Sequence, residues 1–298
     1  MKRTLVLTAL ASLSTLGLSA CGGSAHGGNH IQNKGSDTLV NVAQAWAEEY
    51  SKVQPDVSVA VSGGGSGVGI SAMINGTVDI ANASRAMKQK EIDQAKGNGI
   101  DPVEHIVGFD ALAVYVHKDN PIESITLEQL ADIYGENGTV TRWSQLGVTM
   151  PSNTADEIVR ISRQNNSGTY SYFRDTVLGT DGSYKLGSND LHGSKDVVDT
   201  VEKTPGAIGY SGLAYANEHV KLVPVSTNGG APVSPTTQTA VDGSYPIARP
   251  LFMYTAGEPT GKVKAYLDWI LSPTGQKIIE AKGYAPVGLD TAAGAAGN

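Results

Sequence analysis

Residues 163–170 read RQNNSGTY. Arg163 stands four residues before Ser167, Gly168 and Thr169 follow, and the run YSYFRDTVLG beyond predicts a helix over 170–178. The first N–H groups of a helix have no internal partner, and the helix dipole there favours negative charge. A guanidinium adds a planar fork that can grip two oxygens of a phosphate or carboxylate. The same Ser167 also suits a plain helix cap, so this stretch alone leaves two readings open.

Two other stretches share the pattern. GSDT places Ser36 and Thr38 at a predicted helix start, and GGGSGVG, residues 63–69, places Ser66 and several bare backbone amides at another. Glycines let a backbone approach an anion closely, and successive N–H groups form a concave nest. Three such loops, each where a strand or turn feeds a helix, describe a donor-lined site for a tetrahedral oxyanion. Competing motifs fail in detail. GGSGVGIS, residues 64–71, has Ile70 where a nucleotide P-loop needs lysine. GVGISA, residues 67–72, matches only the loose dinucleotide fingerprint. A serine-hydrolase elbow needs glycine where Val68 follows Ser66. His105, His117, His192 and His219 are scattered without metal-ligand spacing. Arg249, beside Pro250 in an apolar run, carries no assigned role. No cofactor or metal is expected.

The elements that must position these loops alternate between strands and helices, the pattern of an α/β domain. Leu39, Val42, Ala43, Trp46 and Tyr50 recur at helical spacing, with Ser36 or Asp37 as the expected cap. VSVAVS alternates as a strand, VGISAMING is a short helix closed by Gly76, and VDIANASR is a second strand with a polar end at Asn82, Ser84 and Arg85. DALAVYVHKDNP reads as a long apolar strand, and Thr126 with Gln129 forms a capping box. EIVRISR is the strand that delivers Arg163. AIGY and PIARPLFMYT are later strands. GKVKAYLDWIL and SPTGQKIIEAKG are the last helices, the second capped by Ser272 with Pro273 at its first position and Gly283 at its close.

The chain has 298 residues, 40% hydrophobic and 17% charged, enough to bury real cores in one or two domains. A formal net charge of −7 excludes a general nucleic-acid binder but not a small-anion site. MKR followed by an apolar run reads as an export signal over 1–20. LSAC, Leu18 to Cys21, resembles the lipobox of bacterial lipoproteins, and Cys21 is the only cysteine. Lipidation at Cys21 would explain it better than a redox or metal role. Residues 21–30 then form the lipidated cysteine and a Gly-rich tether.

Taken together, GSDTLVNVAQAWAEEY, VSVAVSGGGSGVGI, GTVDIANASR, RQNNSGTYSYF, GAIGYSGL and LSPTGQKIIEAKGYAPV resemble the phosphate-binding lipoproteins of bacterial high-affinity phosphate ABC importers. They occur in that family's order over nearly all of residues 32–290. The resemblance implies an α/β, two-lobed periplasmic-binding-protein fold of type II, with two chain crossovers forming a hinge. One lobe would span 31–112 plus 248–298 and the other 113–247. It implies a monomer that binds phosphate in the cleft and delivers it to a transmembrane permease, with no catalytic residues. It also implies phosphate contacts from Ser36, Thr38, the Leu39 amide, Ser66, Gly67, Arg163, Ser167, Gly168 and Thr169. Some members carry an aspartate where this chain has Arg85, so Arg85 is expected as a second cationic ligand, a cleft-wall residue, or the partner of a neighbouring acid. The proton acceptor for hydrogen phosphate would then come from elsewhere, with Asp37 one candidate. Readings that stay open are a receptor for sulfate or molybdate, and a sensing or adhesion lipoprotein on the same fold. A phosphatase would need a metal cluster or activated nucleophile that the sequence does not display.

Overall fold

The computed structural model of the chain describes residues 29–227 and 229–288. The expected leader and Cys21 lie outside the described residues. β1 (His30–Gly35) leads into α1 (Val40–Val53), whose buried Val42, Ala43, Trp46 and Tyr50 are the face their spacing predicts. The cap expected of Ser36 or Asp37 is not made: Leu39 occupies the N-cap position and no side chain caps the helix. Both residues have tertiary partners instead, described below. β2 (Ser58–Ser62), α2 (Ser66–Ile74), β3 (Ile80–Ala83) and α3 (Gln89–Gly97) follow. β4 (Val103–His117) starts well upstream of the apolar run that announced it, because a later strand pairs with its first half.

Beyond it come β5 (Ile125–Thr126) and α4 (Leu127–Tyr134), with Thr126 and Gln129 capping reciprocally. β6 (Val159–Arg163) feeds α5 (Gly168–Phe173), which continues as a π-helical turn through Leu178. β7 (Asn189–Leu191), α6 (Ser194–Lys203), β8 (Ala207–Gly212), β9 (Val220–Val223), β10 (Val225–Ser226) and α7 (Thr237–Val241) complete this part. β11 (Ala248–Thr255) returns, and α8 (Gly261–Ile270) and α9 (Pro273–Ala281) close it. Ser272 caps α9 as expected, accepting the Gly275 amide.

One sheet runs β2-β1-β3-β11-β4-β8-β6-β7, with β9 also on β4. β1, β2 and β3 are mutually parallel, as are β6, β7 and β8, while β4 and β11 run antiparallel to each other and to their outer neighbours. Four sets of core residues cover the sheet, two in each half, and the larger one of each half marks it. Ile31, Trp46, Tyr266 and Ile279 belong to one, and Leu112, Ile133, Phe173 and Tyr210 to the other. The chain crosses between these halves along β4 and returns along β11, which is the two-lobed α/β architecture. The carboxyl ends of the parallel strands in both halves face the junction, where ligands bind in open α/β sheets.

Local packing fixes these ends closely. α2 lies so near β1 that a Cβ at Gly69 would sit 2.4 Å from the Lys34 carbonyl oxygen and 2.6 Å from the Gly35 Cα. α3 is tied to the end of β3 by Glu91, whose carboxylate accepts the Lys88 amide at 2.8 Å and the two Nη atoms of Arg85 at 2.8 and 2.7 Å. Burial alone would raise the Glu91 pKa. The hydrogen bonds from Arg85 and the Lys88 amide outweigh it and hold the carboxyl below its ordinary value.

Gly69→Ala should cost about 1–3 kcal/mol by overpacking, read from urea unfolding; an unchanged midpoint would mean α2 can retreat freely. The Glu91 linkage contributes stability at neutral pH and loses it as pH falls through the depressed folded-state pKa. Glu91→Gln should therefore lower the thermal midpoint at pH 7 and flatten its decline between pH 5 and pH 3. Parallel curves for the two proteins would contradict this.

Candidate anion site

The loop after β1 is held open by tyrosines. The Tyr215 hydroxyl donates to the Asp37 carbonyl at 2.6 Å, and the Tyr284 hydroxyl donates to the Thr38 carbonyl. The Asp37 carboxylate, freed from capping, accepts the Gly64 amide at 2.8 Å and Arg163 Nη2 at 3.1 Å. The Ser36 hydroxyl donates to Ser84 Oγ at 3.0 Å. The Leu39 amide is bonded to the Ser36 carbonyl in a turn. Thr38 is buried, and its hydroxyl lies 3.1 Å from that of Thr169.

The second loop opens α2. Ser66 is fully buried; its hydroxyl accepts the Ser84 amide at 3.0 Å and lies 3.4 Å from Ser84 Oγ. The Gly67 amide reaches across the junction to the Asn166 carbonyl at 3.0 Å, and Asn166 Nδ2 returns a bond to the Gly64 carbonyl. The third loop seats Ser167 as a true cap, accepting the Thr169 and Tyr170 amides at 3.1 and 3.4 Å. Gly168 is required here by close approach. A Cβ would fall 2.2 Å from Ser66 Oγ and 2.6 Å from Ser84 Oγ. The three loops thus come together, two from one half and one from the other.

Arg163 ends β6 with only 1% of its surface exposed. Its fork is mostly bound to protein: Nε to the Leu191 and His192 carbonyls, Nη1 to Ser194 Oγ at 3.0 Å, Nη2 to the His192 carbonyl at 2.6 Å and to Asp37. One Nη1 hydrogen has no protein acceptor among the described residues. Burial pulls the guanidinium pKa below its ordinary value while Asp37 opposes the shift. Arg85 is held by Glu91 and by the Ala86 carbonyl. It forms a wall beside Gly67, with Nη2 3.8 Å from where a Gly67 Cβ would stand. The partnership with a neighbouring acid is therefore the arrangement the structure displays at Arg85.

Three residues at this junction were not picked out from sequence. Ser84 joins the Ser36 and Ser66 hydroxyls. Arg249 and Asp110 form an ion pair at 2.8 Å with no exposed surface on either side chain. Their signal was available: a charged residue in an otherwise apolar, buried strand is rare unless paired. Arg85 and Arg249 also bound an apolar cavity of about 470 Å³, walled by Met87, Tyr172, Pro250 and Phe252.

Six buried hydroxyls, those of Ser36, Thr38, Ser66, Ser84, Ser167 and Thr169, two helix starts and paired guanidiniums make a lining suited to an oxyanion, since hydrogen bonds to charged groups in a dry site are the strong ones. Among the described residues, no group of three or more His, Cys, Asp or Glu is placed to hold a metal, and no helix is long and apolar enough to cross a membrane.

The family model of the PBP superfamily domain matches residues 22–274. A phosphate-binding protein PstS from Pseudomonas aeruginosa is 35% identical over 271 residues, covering 87% of this chain and 83% of that protein. The PstS of Bacillus subtilis is 32% identical over 254 residues, covering 85% and 79%. A crystal structure of a putative phosphate ABC transporter substrate-binding protein with bound phosphate, from Clostridium perfringens, is 30% identical, covers 87% of this chain and 99% of that one, and superposes with a TM-score of 0.77. By matched length, identity and fold, the chain belongs to the PBP superfamily and, within it, to the family of PstS phosphate-binding proteins.

Proposed function

We propose that this protein binds inorganic phosphate between its two lobes and delivers it to an ABC-type permease for import. The observation that carries this reading is the meeting of three hydroxyl-bearing loops from both halves around Gly168, with guanidiniums buried beside them. The phosphate oxygens would exchange with the present hydroxyl–hydroxyl contacts. Thr38 and Thr169 would turn from each other to one oxygen, and Ser36 and Ser66 would serve others. The Gly168 amide would close the cage, the Leu39 and Gly67 amides would join it by leaving the Ser36 and Asn166 carbonyls they now bond, Ser167 would keep the Thr169 amide in place, and the remaining Nη1 hydrogen of Arg163 would add charge. Arg85 would act as a cleft-wall cation whose charge is balanced by Glu91.

The lobes would comprise 31–112 with 248–298, and 113–247, closing by a hinge at β4 and β11. Binding without catalysis is the role proposed, for nothing in the cluster pairs a nucleophile with a base. Export, a lipid on Cys21 and a monomeric state complete the reading. The relatives named as phosphate-binding proteins support it, and the LSAC stretch supports the lipid.

Calorimetric titration of protein freed of bound anion should give tight 1:1 phosphate binding and no sulfate heat. Heat with both anions would make it a general oxyanion receptor, and heat with neither would overturn the reading. Arg163→Ala should weaken phosphate more than Thr169→Ala, because it removes a charged donor and also strands Asp37 without its partner across the junction. The expected losses are over about 100-fold for Arg163→Ala and about tenfold for Thr169→Ala. Equal losses would contradict the geometry.

A further inference from the structure

We propose that Arg249 is a second charged ligand of the bound anion, approaching it from the hinge. This rests on the phosphate reading above and extends it to a residue outside the three loops. Arg249 on β11 and Asp110 on β4 are direct cross-strand partners on the two strands that join the halves. Asp110 Oδ2 accepts both Nε at 3.1 Å and Nη2 at 2.8 Å. Nη1 donates to the Ser84 carbonyl at 3.1 Å. The guanidinium carbon lies 5.6 Å from the centre of the Tyr172 ring. These contacts leave the fork little freedom.

What remains of Nη2 points at the site. It lies 3.3 Å from Thr38 Oγ1 and 3.2 Å from Thr169 Oγ1. Those two hydroxyls are themselves 3.1 Å apart and belong to opposite halves. An anion oxygen entering between them would meet two hydroxyls and one guanidinium N–H at once.

Stability does not account for this arrangement. A buried ion pair is often no more stabilising than apolar side chains of the same volume, which the flanking Leu112 and Leu251 show the strands accept. Arg85 does not take its place: Glu91 holds both its Nη atoms, and none of its N–H groups lies within hydrogen-bond distance of the Thr38 or Thr169 hydroxyl, as Arg249 Nη2 does. Arg249 and Arg163 each carry their own carboxylate, Asp110 and Asp37. The anion would therefore be held by oriented donors rather than by a net positive charge, with the two guanidiniums already fixed when it arrives. Asp37 is spent on Gly64 and Arg163, so it does not supply the free acceptor the sequence left open.

The test is phosphate calorimetry on the full chain and its Arg249→Gln and Arg249→Lys variants, with near-UV circular dichroism as the check on folding. Arg249→Gln should weaken phosphate at least tenfold, and Arg249→Lys should recover part of that loss. Because Arg249→Gln strands the Asp110 charge, the double variant Asp110→Asn/Arg249→Gln, which removes that charge, is the control for folding and should show the same loss. A folded single or double variant within twofold of the parent affinity would overturn the assignment while leaving the phosphate reading intact. A parent protein that binds no phosphate would overturn both.

Discussion

A guanidinium taken out of water costs several kcal/mol unless its hydrogen bonds and charge are met by the protein. This fold buries two at one junction, and much of its local architecture satisfies that demand. Arg163 draws in Asp37, Ser194 and two backbone carbonyls; Arg249 draws in Asp110 and the Ser84 carbonyl. Burial raises the Asp110 pKa above its ordinary value, and the Arg249 guanidinium offsets only part of that rise. The loops that carry the hydroxyls are anchored to the same groups. Asp37 holds the Gly64 amide, and the Ser84 amide is bonded to Ser66.

The sheet order explains how distant residues meet. Parallel strands in each half end at the junction, and the antiparallel pair β4 and β11 connects them. Each loop alone is a short turn with a serine or threonine. Brought together, they would replace the hydration shell of a small anion. Thr38–Thr169 and Gly67–Asn166 contacts show that the halves touch through the same groups that would bind ligand. On the proposed function, binding and lobe closure would be coupled through shared atoms, and a ligand that bonds both halves would favour the closed form.

The strand–helix order and the three loops were legible because their signals are local: alternating valines, helical spacing, and glycine with hydroxyls at strand ends. Ser36 and Asp37 were misread as caps because their partners, Ser84 and Arg163, lie far along the chain, and tertiary bonds displaced the local one. Ser167 was legible as a cap, and its bond sets the Thr169 amide while Thr169 faces the junction. Arg249 was passed over because its meaning resides in Asp110, 139 residues away on a strand whose pairing no local pattern reveals. Arg85 is the converse: its partner Glu91 lies only six residues on, in the first turn of α3, so an acid partner could be named from sequence beside the ligand and cleft-wall readings.

The central claim is that one tetrahedral oxyanion sits where these loops meet. A crystal structure grown with arsenate, located by its anomalous scattering, tests it most directly. One strong peak is expected about 4 Å from the donor oxygens and nitrogens of Thr38, Ser66, Thr169 and the buried arginines, each of them about 3 Å from an arsenate oxygen, with the Thr38–Thr169 contact opened around it. A peak elsewhere, such as the cavity walled by Met87 and Phe252, with the hydroxyl cluster unchanged, would contradict it.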